Sequence, residues 1–449
     1  MLLSRFFPSS HRPHFSRMLY SNRRLRGSSR EYSLSVQHVT IGECGQGECR
    51  DGVQFVEKLI NQQQWLMPEP STPISRIVVK DFPPNVGGKS LTGVPSMNSS
   101  QDSMQFVNAG FLEANQSDSG PGFYVIRDDL LHPLLGGNKV RKLDGLIPEL
   151  QKRGATDVVT CGGCQSAHTA ALAFACAERG INAHLLLRGE RPAIPTGYNL
   201  LCGMYGHVTY IPRSEYANRA GMLTKHALKL AGNLGSVSWL DEFEANPNPG
   251  SILTESEELE RSGEGGWRKN VIVVKEGAGD AIALLGVIRL VRYLSQPTRF
   301  GAEEPLHMVV DTGTGTTAVG VALGVALLGL PWKVTGVILA DSIESYENHR
   351  RRLVTDFATM FSFSSARDLQ LPLVWEQRSR PRKFGKVLPG EIGICRSIAR
   401  HTGILLDPVY TLAGWETAVR CFIEVEGVGK IVMLHTGASI PAKSGDEDT

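Results

Sequence analysis

Gly136-Gly137-Asn138-Lys139-Val140-Arg141-Lys142-Leu143 is the stretch from which the rest of this chain can be read. A lysine directly behind a Gly-Gly-Asn turn, at the head of an amphipathic run, is a candidate for condensation with an aldehyde. The glycines let a flat ring approach the backbone, and Asn138 can hydrogen-bond a ring oxygen. Beyond the lysine, apolar residues recur at helical spacing (Leu143, Leu146, Ile147, Leu150), which predicts a helix over 140–153. Lys142, three residues on, shares that face and is the second candidate amine.

Working outward, helical and strand patterns alternate. Strands are predicted at 157–160, 183–187, 208–211, 271–274, 307–310, 334–339, 404–406 and 431–434. Helices are predicted at 166–179, 197–205, 215–230, 280–294, 316–330 and 344–361, then after Pro389 and through Trp415. Repeated β–α units imply a mostly parallel sheet with helices on both faces, and there are enough units for two such sheets. Residues 233–269, rich in Gly, Glu, Asn, Pro and Ser, read as a surface loop. Residues 80–120 lack periodicity and read as a looped or disordered insertion.

A chain of 449 residues has room for two domains and a large core. Its 41% hydrophobic and 20% charged content is that of an ordinary globular enzyme, and a net charge of +2 implies no basic face for nucleic acid. Residues 1–30 hold seven arginines, seven serines and no acidic residue, a composition that reads as an organelle transit peptide. The mitochondrion is the first choice and the chloroplast the alternative. The longest apolar run, Thr316 to Leu330, is too short to span a bilayer and ends at Pro331, so no membrane association is expected. The Cys161-Gly-Gly-Cys164 spacing suits redox chemistry, but no second such pair and no His pair stands near it; reduced cysteines lining a turn, and no metal, are the expectation.

Three further motifs carry chemistry. Asp311-Thr312-Gly313-Thr314-Gly315-Thr316-Thr317 follows a predicted strand and opens a helix, so its amides and hydroxyls suit a phosphate. No Gly-Lys-Ser/Thr follows it, which excludes a nucleotide P-loop. Cys161 to His168 also joins a strand to a helix N-terminus; Ser166 is a helix cap by type, and the amides beside it suit a carboxylate. Asp407-Pro408-Val409-Tyr410-Thr411 precedes another helix. Tyr410 is either an acid–base group or a packing residue there, and Thr411 either contacts a ring nitrogen or caps the helix.

In this order and spacing, GGNKVRKL, the Gly-Gly-x-Gln-Ser loop, the Gly/Thr-rich loop and LLDPVYT resemble the D-cysteine desulfhydrase and 1-aminocyclopropane-1-carboxylate deaminase family, and within it the plant mitochondrial desulfhydrase type. The resemblance runs from Thr72-Pro73 to about Gly437, with a pause over the insertion. It implies an α/β, tryptophan-synthase β-like (fold type II) pyridoxal-phosphate enzyme of two open parallel-sheet domains. It also implies a transit peptide (1–30), an N-terminal extension (31–64) and a larger cofactor domain (65–140, with the insertion at about 80–120, and 266–437). A smaller α/β domain (141–265) and a tail (438–449) complete the division, and a homodimer is implied. By the same resemblance Lys139 carries pyridoxal 5′-phosphate, assisted by Asn138, while Gly313, Thr314, Gly315, Thr316 and Thr317 hold the phosphate. Thr411 faces the pyridine nitrogen. Gln165, Ser166 and His168 take a small amino-acid substrate, with Ser166 on its carboxylate, and Tyr410 orients it or transfers a proton.

The activity implied is β-elimination of D-cysteine to pyruvate, ammonia and hydrogen sulfide. Family deaminases carry glutamate after the tyrosine; a threonine at 411 makes a weaker electron sink, which suits elimination. The alternatives are a 1-aminocyclopropane-1-carboxylate deaminase and a low-activity pyridoxal-phosphate-binding protein. Ala167 replaces the family's Asn, Phe384 replaces a tyrosine in a Gly-Tyr-Gly turn, and Leu434-His-Thr-Gly-Ala-Ser439 replaces a double-glycine turn; the first two favour the last alternative.

Overall fold

The computed structural model describes residues 46–80, 105–111, 121–242, 268–424 and 429–437. Two sheets organise them. The larger is built from β1 (Ile74–Lys80), β2 (Gln105–Phe111), β3 (Gly122–Ile126), β9 (Leu306–Thr312), β10 (Trp332–Ile338), β11 (Leu373–Gln377) and β12 (Lys430–Leu434), in the order β11-β10-β9-β12-β3-β1-β2. The smaller contains β4 (Asp157–Gly163), β5 (Asn182–Arg188), β6 (His207–Ile211), β7 (Ser236–Trp239) and β8 (Asn270–Val273), in the order β6-β5-β4-β8-β7. Every pairing in the smaller sheet is parallel; in the larger only β1 runs antiparallel to its neighbours β2 and β3. Parallel strands covered by helices on both faces must be apolar throughout, and Val158, Val159 and Cys161 of β4 are fully buried.

The Gly137–Lys152 helix is fixed by a buried ionic network. Arg141 donates to both carboxylate oxygens of Asp128 at 2.8–2.9 Å, and neither side chain is exposed at all. One turn on, Asp144 accepts from Arg289 at 2.9 Å and from the Met67 amide at 2.8 Å. Arg289 also binds the Met67 and Pro68 carbonyls and lies 4.5 Å over the Trp65 ring. The neighbouring Leu284–Leu294 helix approaches closely because Gly286 has no side chain: a Cβ there would lie 2.0 Å from the Arg141 carbonyl oxygen. The helix start is thus held from three sides before any ligand is considered.

Several expectations are corrected. Residues 404–406 form no strand. Ile404 and Leu406 are buried and Leu405 is 63% exposed, an alternation that resembles a strand, but the segment pairs with no sheet. The predicted loop 233–269 contains β7, and the predicted insertion 80–120 contains β2. The helix over 215–230 is two pieces, Arg213–Tyr216 and Arg219–Ala231, because the Asn218 side chain accepts from Gly221 N and starts the second. β8 completes the smaller sheet, so the boundary placed at 265/266 falls instead after Val273. The N-terminal extension includes a helix, Gln46–Gln62, that packs on the body: Val56 is buried and Phe55 stacks on Phe363 at 4.1 Å. The transit-peptide segment, 1–30, and the tail, 438–449, lie outside the described residues, as do Gly88-Lys89-Ser90 and Cys44. Among the described residues no helix is long and apolar enough to cross a membrane, and Cys161 and Cys164 are free thiols.

Candidate active site

A cleft of about 1820 Å³ opens at the C-terminal ends of strands from both sheets. Residues just beyond β4, β8, β9, β10, β11 and β12 line it, which is where parallel α/β sheets present their loops to ligands. Common small-molecule pockets run to roughly 300–1,000 Å³, so a cofactor and a substrate fit together.

Lys139 and Asn138 enter from the first turn of the Gly137–Lys152 helix, where Gly136 turns the chain at φ 67°. The Lys139 Nζ donates to Asn138 Oδ1 at 2.5 Å, and the Asn138 amide donates to the Thr436 carbonyl at 2.9 Å. Burial pushes the Lys139 amine down from 10.5 to about 8, against the opposing pull of Asp311 and Asp407. Lys142, the second candidate amine, points elsewhere: its Nζ donates to the Gly277 carbonyl at 2.8 Å and lies 3.5 Å from Thr314 Oγ1. Burial and the nearby Lys139 lower it further still. One lysine stands at the turn and the other against the threonine loop.

That loop leaves β9 and starts the Thr316–Leu327 helix through Gly315, at φ 85°. A Cβ on Gly315 would strike the Tyr346 ring at 2.9 Å, and one on Gly313 would touch the Tyr410 ring at 3.1 Å. Tyr346, on the next helix, braces the loop from below, its hydroxyl 2.7–2.8 Å from the Thr312 and Gly313 carbonyls. Thr314, Thr316 and His349 form a chain of contacts at 3.2 Å. Burial and the cations Arg352, Lys142 and Lys275 push His349 down to about 3, so it is neutral. Thr317 is only 4% exposed, and its hydroxyl has no partner. A buried hydroxyl without a partner, beside free helix-start amides and a lysine, is the donor set a phosphate dianion satisfies.

The carboxylate loop is more self-contained than expected. Ser166 Oγ accepts from Thr169 N at 3.3 Å, which is the predicted cap. Gln165 spends both ends of its amide, donating to the Thr196 carbonyl and accepting from the Tyr198 amide, each at 3.1 Å. It therefore holds the 196–198 turn rather than offering a free amide. His168 Nε2 lies 3.0 Å from Thr160 Oγ1, and burial with the two lysines keeps it down at about 3. It lines the cleft as a neutral ring.

Thr411 is the clearest departure from expectation. It is fully buried and does not line the cleft. Its hydroxyl accepts the Asp407 amide at 2.7 Å and donates its one proton to Asp407 Oδ2 at 2.9 Å. The helix-cap reading describes it, and the proton expected on a ring nitrogen is already committed. Asp407 in turn accepts from the amides of Val409, Tyr410 and Thr411. Tyr410 does reach the cleft, its ring against Gly313 and edge-on to Phe384 at 5.5 Å; burial and the carboxylates of Asp407 and Asp311 raise its phenol.

The sequence reading gave no role to Asp311, Gly277, Tyr346 or His349. Tyr346 and His349 sit three apart on one helical face, a signal available in principle. Nothing in the sequence distinguishes Gly277 from other loop glycines.

The fold, the lysine at a glycine turn and the threonine loop define a pyridoxal-phosphate enzyme of fold type II. Residues 111–437 match the family model described as pyridoxal-phosphate dependent enzyme, and the chain belongs to that family. Its cofactor is pyridoxal 5′-phosphate. More particularly, the chain is 47% identical over 401 residues to the "Putative D-cysteine desulfhydrase 2, mitochondrial" of Oryza sativa subsp. japonica, covering 87% of this chain and 93% of that one. It is 26% identical to the bifunctional D-cysteine desulfhydrase/1-aminocyclopropane-1-carboxylate deaminase, mitochondrial, of Arabidopsis thaliana, covering 71% and 73%. A crystal structure of an ACC deaminase homologue superposes with a TM-score of 0.59 at 23% identity, covering 85% of this chain and 94% of that one, which establishes the shared fold.

Proposed function

We propose that the chain is a carbon–sulfur lyase that converts D-cysteine to pyruvate, ammonia and hydrogen sulfide in the mitochondrion, as a homodimer. The observation that carries it is Lys139: a buried amine held near 8, opening onto the same cleft as the Thr314–Thr317 loop. The substrate class follows the rice relative, whose similarity spans nearly its whole length.

Bound pyridoxal phosphate supplies an electron sink for the bond broken at the substrate's α-carbon. The chain's own residues do the rest. Lys139 holds the cofactor aldehyde and, once displaced by the substrate amine, is the base for the α-proton; a pKa near 8 leaves a useful fraction unprotonated at neutral pH. Lys142 and the hydroxyls of Thr314, Thr316 and Thr317 hold the phosphate. The helix start at Ser166 receives the substrate carboxylate, and Ala167 leaves space where an amide would otherwise reach in. Tyr410 closes the opposite wall, and its raised phenol is a donor toward the departing sulfur. The sulfur leaves as sulfide with the electrons of the C–S bond, and water converts the remaining enamine to pyruvate and ammonia.

The test is sulfide and pyruvate release by the purified protein with D-cysteine, L-cysteine and 1-aminocyclopropane-1-carboxylate in parallel. Sulfide from D-cysteine that disappears in Lys139→Ala is the expected result. Ammonia and 2-oxobutyrate from the cyclopropane substrate alone would replace this reading by the deaminase one.

A further inference from the structure

The cofactor ring has three polar handles besides its phenol: the aldehyde, the phosphate and the ring nitrogen. The first two are provided for by Lys139 and the threonine loop. The third lost its expected partner when Thr411 proved to be committed to Asp407.

Among the acidic residues that line the cleft, one has a buried oxygen to give. Asp241 pairs with Lys275, Glu276 with Tyr216 and Arg219, Asp356 with Lys275 and Arg352, and Asp341 with Ser345. Glu242 accepts from Trp239 N. Asp407, behind Tyr410, has both oxygens filled by backbone amides and the Thr411 hydroxyl. Asp311 differs. It is 3% exposed, its Oδ2 accepts from Thr436 Oγ1 at 2.8 Å, and its Oδ1 has no partner. It closes β9 immediately before the phosphate loop, and its Cβ lies beside Gly414, in the first turn of the helix that Thr411 begins. The Thr436 bond holds the carboxylate with one oxygen directed away from its own anchor.

We infer that Asp311, through its free Oδ1, is the partner of the pyridine ring nitrogen, and that it keeps that nitrogen protonated. A carboxylate beside a ring nitrogen accepts its N–H and stabilises the pyridinium charge, whereas a hydroxyl that has already given its proton does neither. The sink in this protein is then strong, and the threonine at 411 says nothing against ring opening of a cyclopropane amino acid. This inference rests on the seating proposed above, with the aldehyde on Lys139 and the phosphate on the threonine loop.

The test uses the full chain loaded with pyridoxal phosphate carrying nitrogen-15 in the ring. Borohydride fixation and peptide mapping first show whether the label is on Lys139; a label on another lysine overturns the seating, and this inference with it. With the label on Lys139, the nitrogen resonance of the wild type is expected at the position of a protonated pyridine. In Asp311→Asn, which keeps an oxygen for Thr436, it is expected to move to the unprotonated position, while Thr411→Val leaves it in place. A protonated resonance that persists in Asp311→Asn, or a wild-type nitrogen that is unprotonated, overturns the inference while leaving the seating intact. An affinity measurement serves independently of the resonance. Replacing the ring nitrogen by C–H (1-deazapyridoxal phosphate) is expected to weaken binding to the wild type by about tenfold to a hundredfold, the worth of a charge-assisted hydrogen bond, and to make little difference in Asp311→Asn. Equal losses in both proteins overturn it.

Discussion

Replacing Thr317 by valine should move stability and cofactor affinity in opposite directions. The Thr317 side chain is 4% exposed and its hydroxyl has no hydrogen-bond partner, so the apoprotein already bears the cost of desolvating it. Leaving such a group unpaired costs about 1–3 kcal/mol. Valine keeps the shape and removes the group, so apoprotein Thr317→Val should be as stable as the wild type or more stable by up to ~2 kcal/mol. The loaded protein loses a hydrogen bond to a charged phosphate oxygen, worth about 1.5–3 kcal/mol. At about 1.4 kcal/mol per decade that is roughly a tenfold to hundredfold weaker Kd. Urea unfolding of the apoprotein reads the first quantity. Cofactor titration in a Lys139→Ala background, where attachment is non-covalent, reads the second. An apoprotein destabilised by more than about 1 kcal/mol would show that the hydroxyl has a partner in the empty fold. An unchanged Kd would show that the phosphate does not sit at this loop.

Three other predictions concern separate parts of the argument. Cofactor attachment to the apoprotein should accelerate as pH rises through about 8, not 10.5, because only the unprotonated Lys139 attacks the aldehyde; absorbance of the bound cofactor follows it, and a midpoint near 10 would contradict the burial argument. The same shift makes the apoprotein more stable between pH 8 and 10.5, since the unfolded chain there still binds the proton that the fold has released. Arg141→Met strands the Asp128 carboxylate, which is completely buried, and should cost about 3–5 kcal/mol in urea unfolding; a loss under 1 kcal/mol would mean that the pair is dispensable to the helix bearing Lys139. Ala167→Asn with Phe384→Tyr should raise turnover of D-cysteine without changing the cofactor Kd, because both side chains line the cleft away from the phosphate loop; no gain would count against their having reduced the activity.

The sequence was most legible where local pattern and burial coincide. The Thr316–Leu327 helix, apolar all round, is buried all round, and the β4 and β9 strands appear where apolar runs predicted them. The Ile404–Leu406 segment shows the limit: its alternation is real, but strand identity needs a neighbouring edge, and edges are not local. β2 and β7 were missed for the converse reason. Each is short and only partly buried, and it is made a strand by pairing with β1 or β8.

For the site, the sequence by itself determined the chemistry available: an amine at a glycine turn, a loop of threonines at a helix start, a capped helix for a carboxylate and a tyrosine after Asp407. Those choices are written in residue type and short spacing, which the chain carries locally. Tertiary structure alone decided which groups remained free to act. Lys142 was an equal amine until folding set it against Gly277 and Thr314, and Thr411 was a ring partner until Asp407, four residues away, took its proton. Asp311 was one acid among 45 acidic residues until burial left it with an unpaired oxygen beside the Thr436 turn. A hydrogen bond uses up a donor or an acceptor, and which ones are used depends on neighbours brought together from distant parts of the chain.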